Sequence, residues 1–594
     1  MKFRWTIAPP QPLLAERLAA ALKVPPLLAQ CLVNRDLREP AAIGKFLAPR
    51  LKHLADPFLL PDMGRAVDRL LAARARGEPL VIFGDYDVDG VTSTTLLLEV
   101  LGRLGWQVDA YLPNRMDEGY GLSRDGVENC LKKHKFTLLL AVDCGSTAVE
   151  TIHWLGQSGV EVIVLDHHQV SSPAPTAVAL VNPQVTSDHS QRAAQDVETM
   201  PQITGHPSPV APFTELCSVG LAFKLAHALV KRGRETGLAG AADFDLKPLL
   251  DLVALGTIAD LVPLTGENRI LVTAGLERLT ATQRPGLIAL KEVAQSPAKL
   301  GTYEVGFQLA PRLNAAGRLE TAEEAMRLLR AESVAEAMPL AQILDARNRE
   351  RQKIEKTIVE EVIAGVRLKF DPRTDFVIVE GRLLWHIGVV GIVASRVLQE
   401  FYRPTLIIGG ENGEMRGSGR SIAGFDLAAA LRECGDLLVR HGGHAMAAGL
   451  SVLPGKIDDL RERLNAIARR HLQPGDLQPP LRLDAEIDLA EINLESLAVL
   501  EQLKPTGMGN PALQCCARNL AHKKPFQRMG ASKQHVKMWV TDGSVTHESV
   551  WWNAGEGSLP AGKFDLAFAP ALNEFNGLTT VQLKVLDWRA GTGS

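Results

Sequence analysis

The chain has 594 residues, enough for roughly three to five domains with ample buried volume. Hydrophobic residues make up 46% and charged residues 22%, which excludes wholesale disorder, and no apolar run is long enough to span a bilayer. With 65 Lys and Arg against 68 Asp and Glu the net charge is −3, so a nucleic-acid-binding surface, if present, has to be local rather than global.

The N-terminus, Met1-Lys2-Phe3-Arg4-Trp5-Thr6, runs into a Pro-rich stretch without an apolar signal region, which predicts a cytoplasmic protein. Seven cysteines, including the neighbours Cys515 and Cys516, form no CxxC pair; they read as reduced buried thiols with no zinc site. Residues 1–75 alternate apolar helical stretches with Pro breaks and end in an amphipathic helix over Met63–Arg74, predicting an entry subdomain. From Pro79 short apolar runs alternate with helical ones: Leu80–Phe83, Thr92–Leu104, Val108–Leu112, Thr137–Val142 and Val160–Leu165. That alternation predicts βαβ units and a parallel sheet.

A stretch over 186–210, rich in Pro, Gly, Ser, Thr and Gln, reads as an exposed insertion without chemistry of its own. Helical patterns resume at Val219–Val230 and Leu246–Leu255. The segment Ala335–Val366 has no Gly or Pro from Ala341 to Ala364; as a helix of ~25 residues it would reach roughly 38 Å, enough to join two lobes across a cleft. A second α/β unit follows, with strands at Asp375–Val379 and Thr405–Ile408, helices at Val389–Phe401 and Phe425–Cys434, and a loop at His441-Gly442-Gly443-His444. After Pro474 the strand-like runs Leu481–Ile487, Val536–Val540, Glu548–Trp552, Asp565–Ala569 and Thr579–Leu586 predict a small barrel.

Three sheet-like runs end in acidic or His-containing loops: Asp85, Asp87 and Asp89 after the first, Asp143 after another, and Asp166-His167-His168 after a third. In a parallel sheet such ends share one edge, where ligands bind. Carboxylates crowded together repel and desolvate badly unless a cation lies among them, so a metal site is the economical reading. Oxygen ligands with a His suit Mn2+ or Mg2+. For a two-ion centre Asp143 is the expected bridge, Asp87 a ligand of one ion, Asp89 and His167 ligands of the other, with Asp260 as a further candidate. A calcium loop of the EF-hand kind is the competing reading of DYDVDG, but the downstream bidentate Glu is missing.

The sequence resembles the DHH phosphoesterases, and within them the RecJ single-strand exonucleases. The resemblance is carried, in order, by VIFGDYDVDG (81–90), LPNRMDEGYGL (112–122), AVDCG (141–145), VLDHH (164–168), LGTIADLVPL (255–264), APRLNAAGRL (310–319), WHIGVVGIVASR (385–396), GSGRS (417–421), GGHAMAAG (442–449) and PTGMGNP (505–511). It implies an α/β multidomain protein: a DHH catalytic domain over 76–335, a connecting helix over 336–366, a smaller α/β DHH-associated domain over 367–470 and an OB-like β-barrel over 471–594. The implied activity is a two-metal exonuclease that degrades single-stranded DNA 5′ to 3′ to 5′-mononucleotides in DNA repair and recombination. Asp87, Asp89, Asp143, His167 and Asp260 match metal-ligand positions, and His168 a phosphate contact or a support for the ligands. Relatives such as the pyrophosphatases carry a His where this chain has Phe83, which implies that one ion either binds weakly or takes Asp85 as a substitute ligand.

The same blocks supply Arg115, Arg312, Arg318, Ser418, Arg420 and His444 as phosphate contacts, since Arg matches phosphate bidentately. His386 could also face the cleft. In the barrel, Trp539, Trp551, Trp552 and Phe575 are candidates for base stacking, with Lys523, Lys524, Arg528, Lys533 and Lys537 along the backbone. The implied partners are single-stranded DNA, a single-strand-binding protein and a helicase, with the chain acting as a monomer. Two alternatives remain: a DHH phosphodiesterase on short oligonucleotides or cyclic dinucleotides, and an inactive replication scaffold.

Overall fold

The computed structural model describes residues 3–115, 117–119, 121–185, 213–319, 321–410, 415–555, 559–575 and 577–591. The insertion expected over 186–210 lies outside them. The chain divides into two compact units, one comprising Ala48–Arg351 and Pro505–Asn510, the other Met1–Leu47, Gln352–Lys504 and Pro511–Ser594. No helix among the described residues is long and apolar enough to cross a membrane.

The first unit is built on five parallel strands. In spatial order they are Val108–Tyr111, Leu80–Phe83, Leu138–Val142, Glu161–Leu165 and Ala179–Val181. Leu80–Phe83 and Leu138–Val142 are buried along their whole length, as a parallel sheet covered on both faces requires. Alternate side chains serve two cores. Leu80, Ile82, Leu138, Leu140 and Val142 meet the helices Val88–Arg103, Ser218–Thr236 and Leu250–Ala259, whereas Val81, Phe83, Leu139 and Ala141 meet Val127, Ile152 and Leu155. The three-residue strand Ala179–Val181 is too short to leave a periodic signal, and it completes the sheet edge unanticipated.

Strand order decides where a site can form. The first strand of this sheet in chain order, Leu80–Phe83, lies between its second and third, so chain direction across the sheet reverses beside it. The crevice outside the C-terminal ends of Leu80–Phe83 and Leu138–Val142 is therefore the topological switch point, the position at which open α/β sheets bind ligands.

The second unit holds a five-stranded mixed sheet ordered Leu438–His444, Ala447–Val452, Met415–Arg420, Thr405–Gly409 and Ile378–Gly381, of which only the last two pair in parallel. The expected loop His441-Gly442-Gly443-His444 is thus part of an edge strand, hidden from sequence reasoning because its two glycines and two histidines carry no apolar alternation. The C-terminal strands Cys515–Met529, His535–Thr541, Thr546–Trp551, Leu578–Ala590 and Phe564–Phe575 pair in a ring that returns to Cys515–Met529, giving the OB-like barrel. Cys515–Met529 escaped the sequence reading because Lys523, Lys524 and Pro525 interrupt its apolar pattern; the Pro falls inside a register shift, where a missing N–H costs no ladder bond.

The segment expected to form one entry subdomain over 1–75 is shared between two cores. Leu18, Leu28, Leu32, Ile43 and Phe46 pack with barrel residues, and Arg4–Ile7 pairs in parallel with Pro480–Leu483, whereas Met63–Arg76 packs in the first unit. The long helix runs Val334–Lys369, 36 residues, and starts ahead of Pro339. All seven cysteines are buried and unbridged.

A buried ion pair fastens the first unit. Lys224 Nζ lies 2.7 Å from Glu267 Oε2 and donates to the Ala55 carbonyl at 2.8 Å, while Ala55 N donates to Glu267 Oε1. Lys224→Met strands the Glu267 charge, which costs about 3–5 kcal/mol, whereas replacing both partners by apolar residues is nearly neutral. Thermal denaturation should show a clear fall in Tm for Lys224→Met and recovery of most of it in the Lys224→Met, Glu267→Leu double variant.

Candidate metal centre

The loop after Leu80–Phe83 turns directly into the helix Val88–Arg103. Asp87 caps that helix, its Oδ1 accepting from Asp89 N at 2.9 Å and Gly90 N at 3.1 Å. Asp89, the second residue of that helix, is buried and caps a second helix: Oδ2 accepts from Ser218 N at 2.7 Å and Oδ1 from Val219 N at 2.8 Å. Both are the first residues of Ser218–Thr236, whose N-terminus carries a partial positive charge. The helix Leu250–Ala259 approaches closely because Gly256 has no side chain; a Cβ there would lie 2.4 Å from Thr92 Oγ1 and 3.1 Å from Asp89 Oδ1. Its C-cap, Asp260, is thereby brought to the same crevice.

Asp143 follows Leu138–Val142 in the left-handed region, φ 63°, a conformation costing a non-glycine residue about 1–2 kcal/mol. Its Oδ1 accepts from Ser218 Oγ at 2.9 Å and lies 3.5 Å from His167 Nε2. The same His167 nitrogen is 3.6 Å from Asp260 Oδ2 and 4.0 Å from Asp89 Oδ2. Asp166 itself points elsewhere: it is buried and accepts from the backbone N–H groups of Ser146, His167 and His168 and from His168 Nδ1 at 2.7 Å.

Three sets of ligand atoms therefore lie within 4.8 Å of one another: Asp85, Asp87 and Asp143; Asp89, His167 and Asp260; and Asp143, His167 and His168. Asp143 and His167 each belong to two sets. Phe83 is fully buried in the apolar core against Tyr111, so among the described residues the set nearest it in sequence consists of Asp85, Asp87 and Asp143 alone.

The electrostatics test whether this donor set suits a cation. Burial, then the charge of Asp87, raises Asp85 well above the carboxylate range and Asp89 to about 7. Burial and Asp89 likewise raise Asp143, and push Asp260 up to about 9. Asp85 Oδ1, Asp260 Oδ2 and His167 Nε2 are buried with no hydrogen-bond partner. Unpaired oxygens and a ring nitrogen, converging among carboxylates that cannot all ionise alone, fit divalent ions. The two histidines are driven apart. Burial and the neighbouring His168 lower His167 to about 4, leaving the neutral form that ligates metals. Burial pulls His168 down too, but its hydrogen bond to Asp166 wins and holds it at about 9.

Of the phosphate candidates, Arg115 and Arg318 reach this crevice. The Arg115 guanidinium carbon sits 5.2 Å from the Tyr86 ring centroid. Burial, with the charges of Arg115 and Arg351, lowers Arg318 to about 10, so it remains a cation at neutral pH. Arg312 is placed differently, bonded to Asp345 at 2.9 Å and to the Gln308 carbonyl at 2.6 Å. In the second unit Arg420 and His444 lie in register on either side of Ala447, and Ser418 two residues along, so all three share one face of the sheet. Arg420 Nη1 donates to Ser418 Oγ at 3.1 Å, and a Cβ on Gly391 would lie 3.0 Å from that oxygen and 3.3 Å from Arg420 Nη2. The N-terminal turn of Val390–Phe401 thus adjoins this face, a placement suited to an anion. His386 Nδ1 accepts from Gly388 N at 3.1 Å, a turn-forming role.

In the barrel, Lys524 Nζ lies 3.6 Å from the Trp539 ring centroid, and the 52%-exposed Trp552 meets His535 edge-on. Trp551 packs toward the core, Lys537 pairs with Glu548, and Arg528 bonds the Gly555 carbonyl; the Phe575 side chain is outside the described set. Sequence reasoning missed Ser218, Ser146, Asn182 and Asn314. Asn182 Nδ2 bridges Ser146 Oγ and the His168 carbonyl, both at 2.8 Å. Ser218 carried a faint signal as a small polar residue opening a helix, which reads equally well as an ordinary cap.

Family profiles match residues 79–257 as the N-terminal domain of the DHH family, 374–470 as a DHHA1 domain and 483–587 as a RecJ OB domain. The single-stranded-DNA-specific exonuclease RecJ of Bacillus subtilis is 38% identical over 592 residues, 99% of this chain and 71% of that protein. The chain belongs to the RecJ family. The RecJ of Dickeya dadantii is 34% identical, covering 95% of this chain and 96% of its own length. A crystal structure of RecJ in complex with Mn2+ from Thermus thermophilus superposes with a TM-score of 0.79 at 30% identity, over 99% of this chain and 80% of that one. The same protein in complex with Mg2+ gives 0.75 at 28%.

Ser218→Ala removes the hydroxyl from Asp143 but leaves the backbone bond to Asp89. Groups that orient a ligand are typically worth 10–100-fold in metal affinity, so calorimetric titration of Mn2+ should show about a tenfold weakening with the fold intact by circular dichroism.

Proposed function

We propose that this chain is a metal-dependent exonuclease that degrades single-stranded DNA 5′ to 3′, releasing 5′-mononucleotides, in DNA repair and recombination. The observation that carries the reading is the pair of ligand sets, Asp85, Asp87, Asp143 and Asp89, His167, Asp260, at the switch point of a RecJ-family DHH domain. The relatives are named single-stranded-DNA-specific exonucleases, and the polarity and product come from the family resemblance.

Asp87 with Asp85 and Asp143 would hold one Mn2+ or Mg2+, and Asp89, His167 and Asp260 the other, with Asp143 between the two. Bound there, such ions supply Lewis-acid charge stabilisation of a phosphate and a lowered pKa for water. The chain's own residues do the rest. Asp166 fixes both backbone N–H groups of the His pair and orients the His168 ring, which we assign to the phosphate. Arg115 and Arg318 offset phosphate charge beside Tyr86, and Ser418, Arg420 and His444 offer donors on one sheet face. Arg312 secures the helix Ala310–Leu319 through Asp345. Hydrolysis adds water across the bond between phosphorus and the 3′ oxygen of the terminal nucleotide, leaving a 3′ hydroxyl on the product and a 5′ phosphate on the shortened strand.

Lys523, Lys524 and Lys533 on exposed barrel positions supply the local positive charge that a chain of net charge −3 lacks overall. An intact ligand set speaks against an inactive scaffold, and the barrel favours longer strands over dinucleotides. The family resemblance extends the reading to a cytoplasmic monomer that works with a single-strand-binding protein and a helicase.

Asp143→Ala should abolish cleavage while leaving strand affinity within a few-fold, because binding is spread over many phosphates. Digestion of end-labelled single-stranded DNA, duplex DNA and RNA with Mn2+ or Mg2+ checks this; metal-dependent loss of mononucleotides from the 5′ end of single strands is the expected pattern, and cleavage by Asp143→Ala at the wild-type rate contradicts it.

A further inference from the structure

A helical run made of Thr302–Glu304, Val305–Leu309 and Ala310–Leu319 adjoins the metal centre, and its middle five residues are π-helical. Such segments are rare and collect at functional sites. Toward its C-terminal end Asn314 Oδ1 accepts from Val88 N at 3.1 Å, which ties the run to the aspartate loop. Toward its N-terminal end Tyr303 and Phe307 stack on each other, ring centroids 5.0 Å apart and planes 29° apart. Both rings face solvent, 63% and 69% exposed.

The surroundings extend this exposed apolar surface. Leu261, the residue after Asp260, is in the left-handed region at φ 62° and is 66% exposed, and Met508 is 56% exposed. These pieces are bonded together: Thr302 Oγ1 donates to the Thr506 carbonyl at 2.8 Å, and Leu264 N to the Met508 carbonyl at 2.8 Å. A cluster of large apolar groups in water is unfavourable unless something covers it. Two rings and two aliphatic tips are far smaller than the roughly 800 Å² per partner of a stable protein interface. They do match the face of a nucleobase, and they sit on the same helical run that grips the catalytic loop.

We infer that Tyr303 and Phe307 form a stacking platform for an unpaired base of the DNA strand and act as a specificity element for single strands. The inference rests on the nuclease reading above. In a duplex both faces of every base are covered by neighbours; in a single strand a face is available, and an aromatic ring accepts any base. From Asn314, which holds the aspartate loop at Val88 N, to Phe307 is seven helical residues, about 10 Å. The base on the platform is therefore within a few nucleotides of the phosphate at the metal centre.

The test uses the full chain with divalent ions chelated, so that nothing is cut, and single-stranded oligonucleotides carrying 2-aminopurine at successive positions from the 5′ end. Wild type should quench the probe most strongly at one position within the first few nucleotides. Tyr303→Ala with Phe307→Ala should lose that quenching and weaken strand binding about 5- to 100-fold, while Phe307→Tyr restores it and Mn2+ affinity is unchanged throughout. An abasic residue at that position should weaken binding by wild type but not by the double variant. Equal quenching in wild type and double variant overturns the platform, as does a change in sedimentation of the double variant without a change in quenching, which assigns the rings to a protein contact. Failure of the nuclease reading is separable, since it appears as no Mn2+-dependent degradation of the unmodified oligonucleotide by wild type.

Discussion

Crowding of buried carboxylates at one sheet edge is the constraint on which the catalytic unit depends. Asp85, Asp89 and Asp143 are almost wholly excluded from water, and Asp260 joins them. One helix N-terminus, with about half a unit of positive charge, compensates Asp89 alone. The remaining negative charge needs a partner of higher charge than any side chain in the crevice supplies, and the unpaired atoms of Asp85, Asp260 and His167 mark where it enters. The strained backbone at Asp143, the caps made by Asp87 and Asp89, and the close approach at Gly256 all hold the carboxylates in an arrangement that they would otherwise leave.

His167 and His168 show how one carboxylate separates the roles of adjacent residues. Asp166 bonds the His168 ring and keeps it a cation, and that cation together with burial keeps His167 neutral. A neutral imidazole beside three carboxylates is a ligand, whereas an imidazolium is a partner for phosphate. The triplet is thus one electrostatic unit, with its Asp as the support.

Net charge of −3 argued against nucleic acid at the level of composition, and local structure answers it. Arg115 and Arg318 gather at Tyr86, Ser418, Arg420 and His444 share one sheet face next to a helix N-terminus, and the barrel exposes Lys523 and Lys524. Cations placed by strand register and helix ends do not register in a sum over the whole chain.

The strands Leu80–Phe83 and Leu138–Val142, and the Asp-bearing loops that follow them, were legible in the sequence because continuous apolar runs bounded by acidic loops have few other interpretations. Cys515–Met529, the edge strand through His441–His444 and the sharing of residues 1–75 between two cores were not, because register, ring closure and long-range packing leave no local periodicity. The sequence by itself determined which Asp, His and Arg side chains are available for chemistry, since these are chemical identities that folding does not change. Only the tertiary structure decided how they are grouped: Asp85 with Asp87 and Asp143, Asp143 and His167 in two candidate sets each, Arg312 bonded to Asp345, and Ser218 bonded to Asp143. Those are relations of distance and burial among residues far apart in the chain, and the distances exist only once the sheet reverses at its switch point.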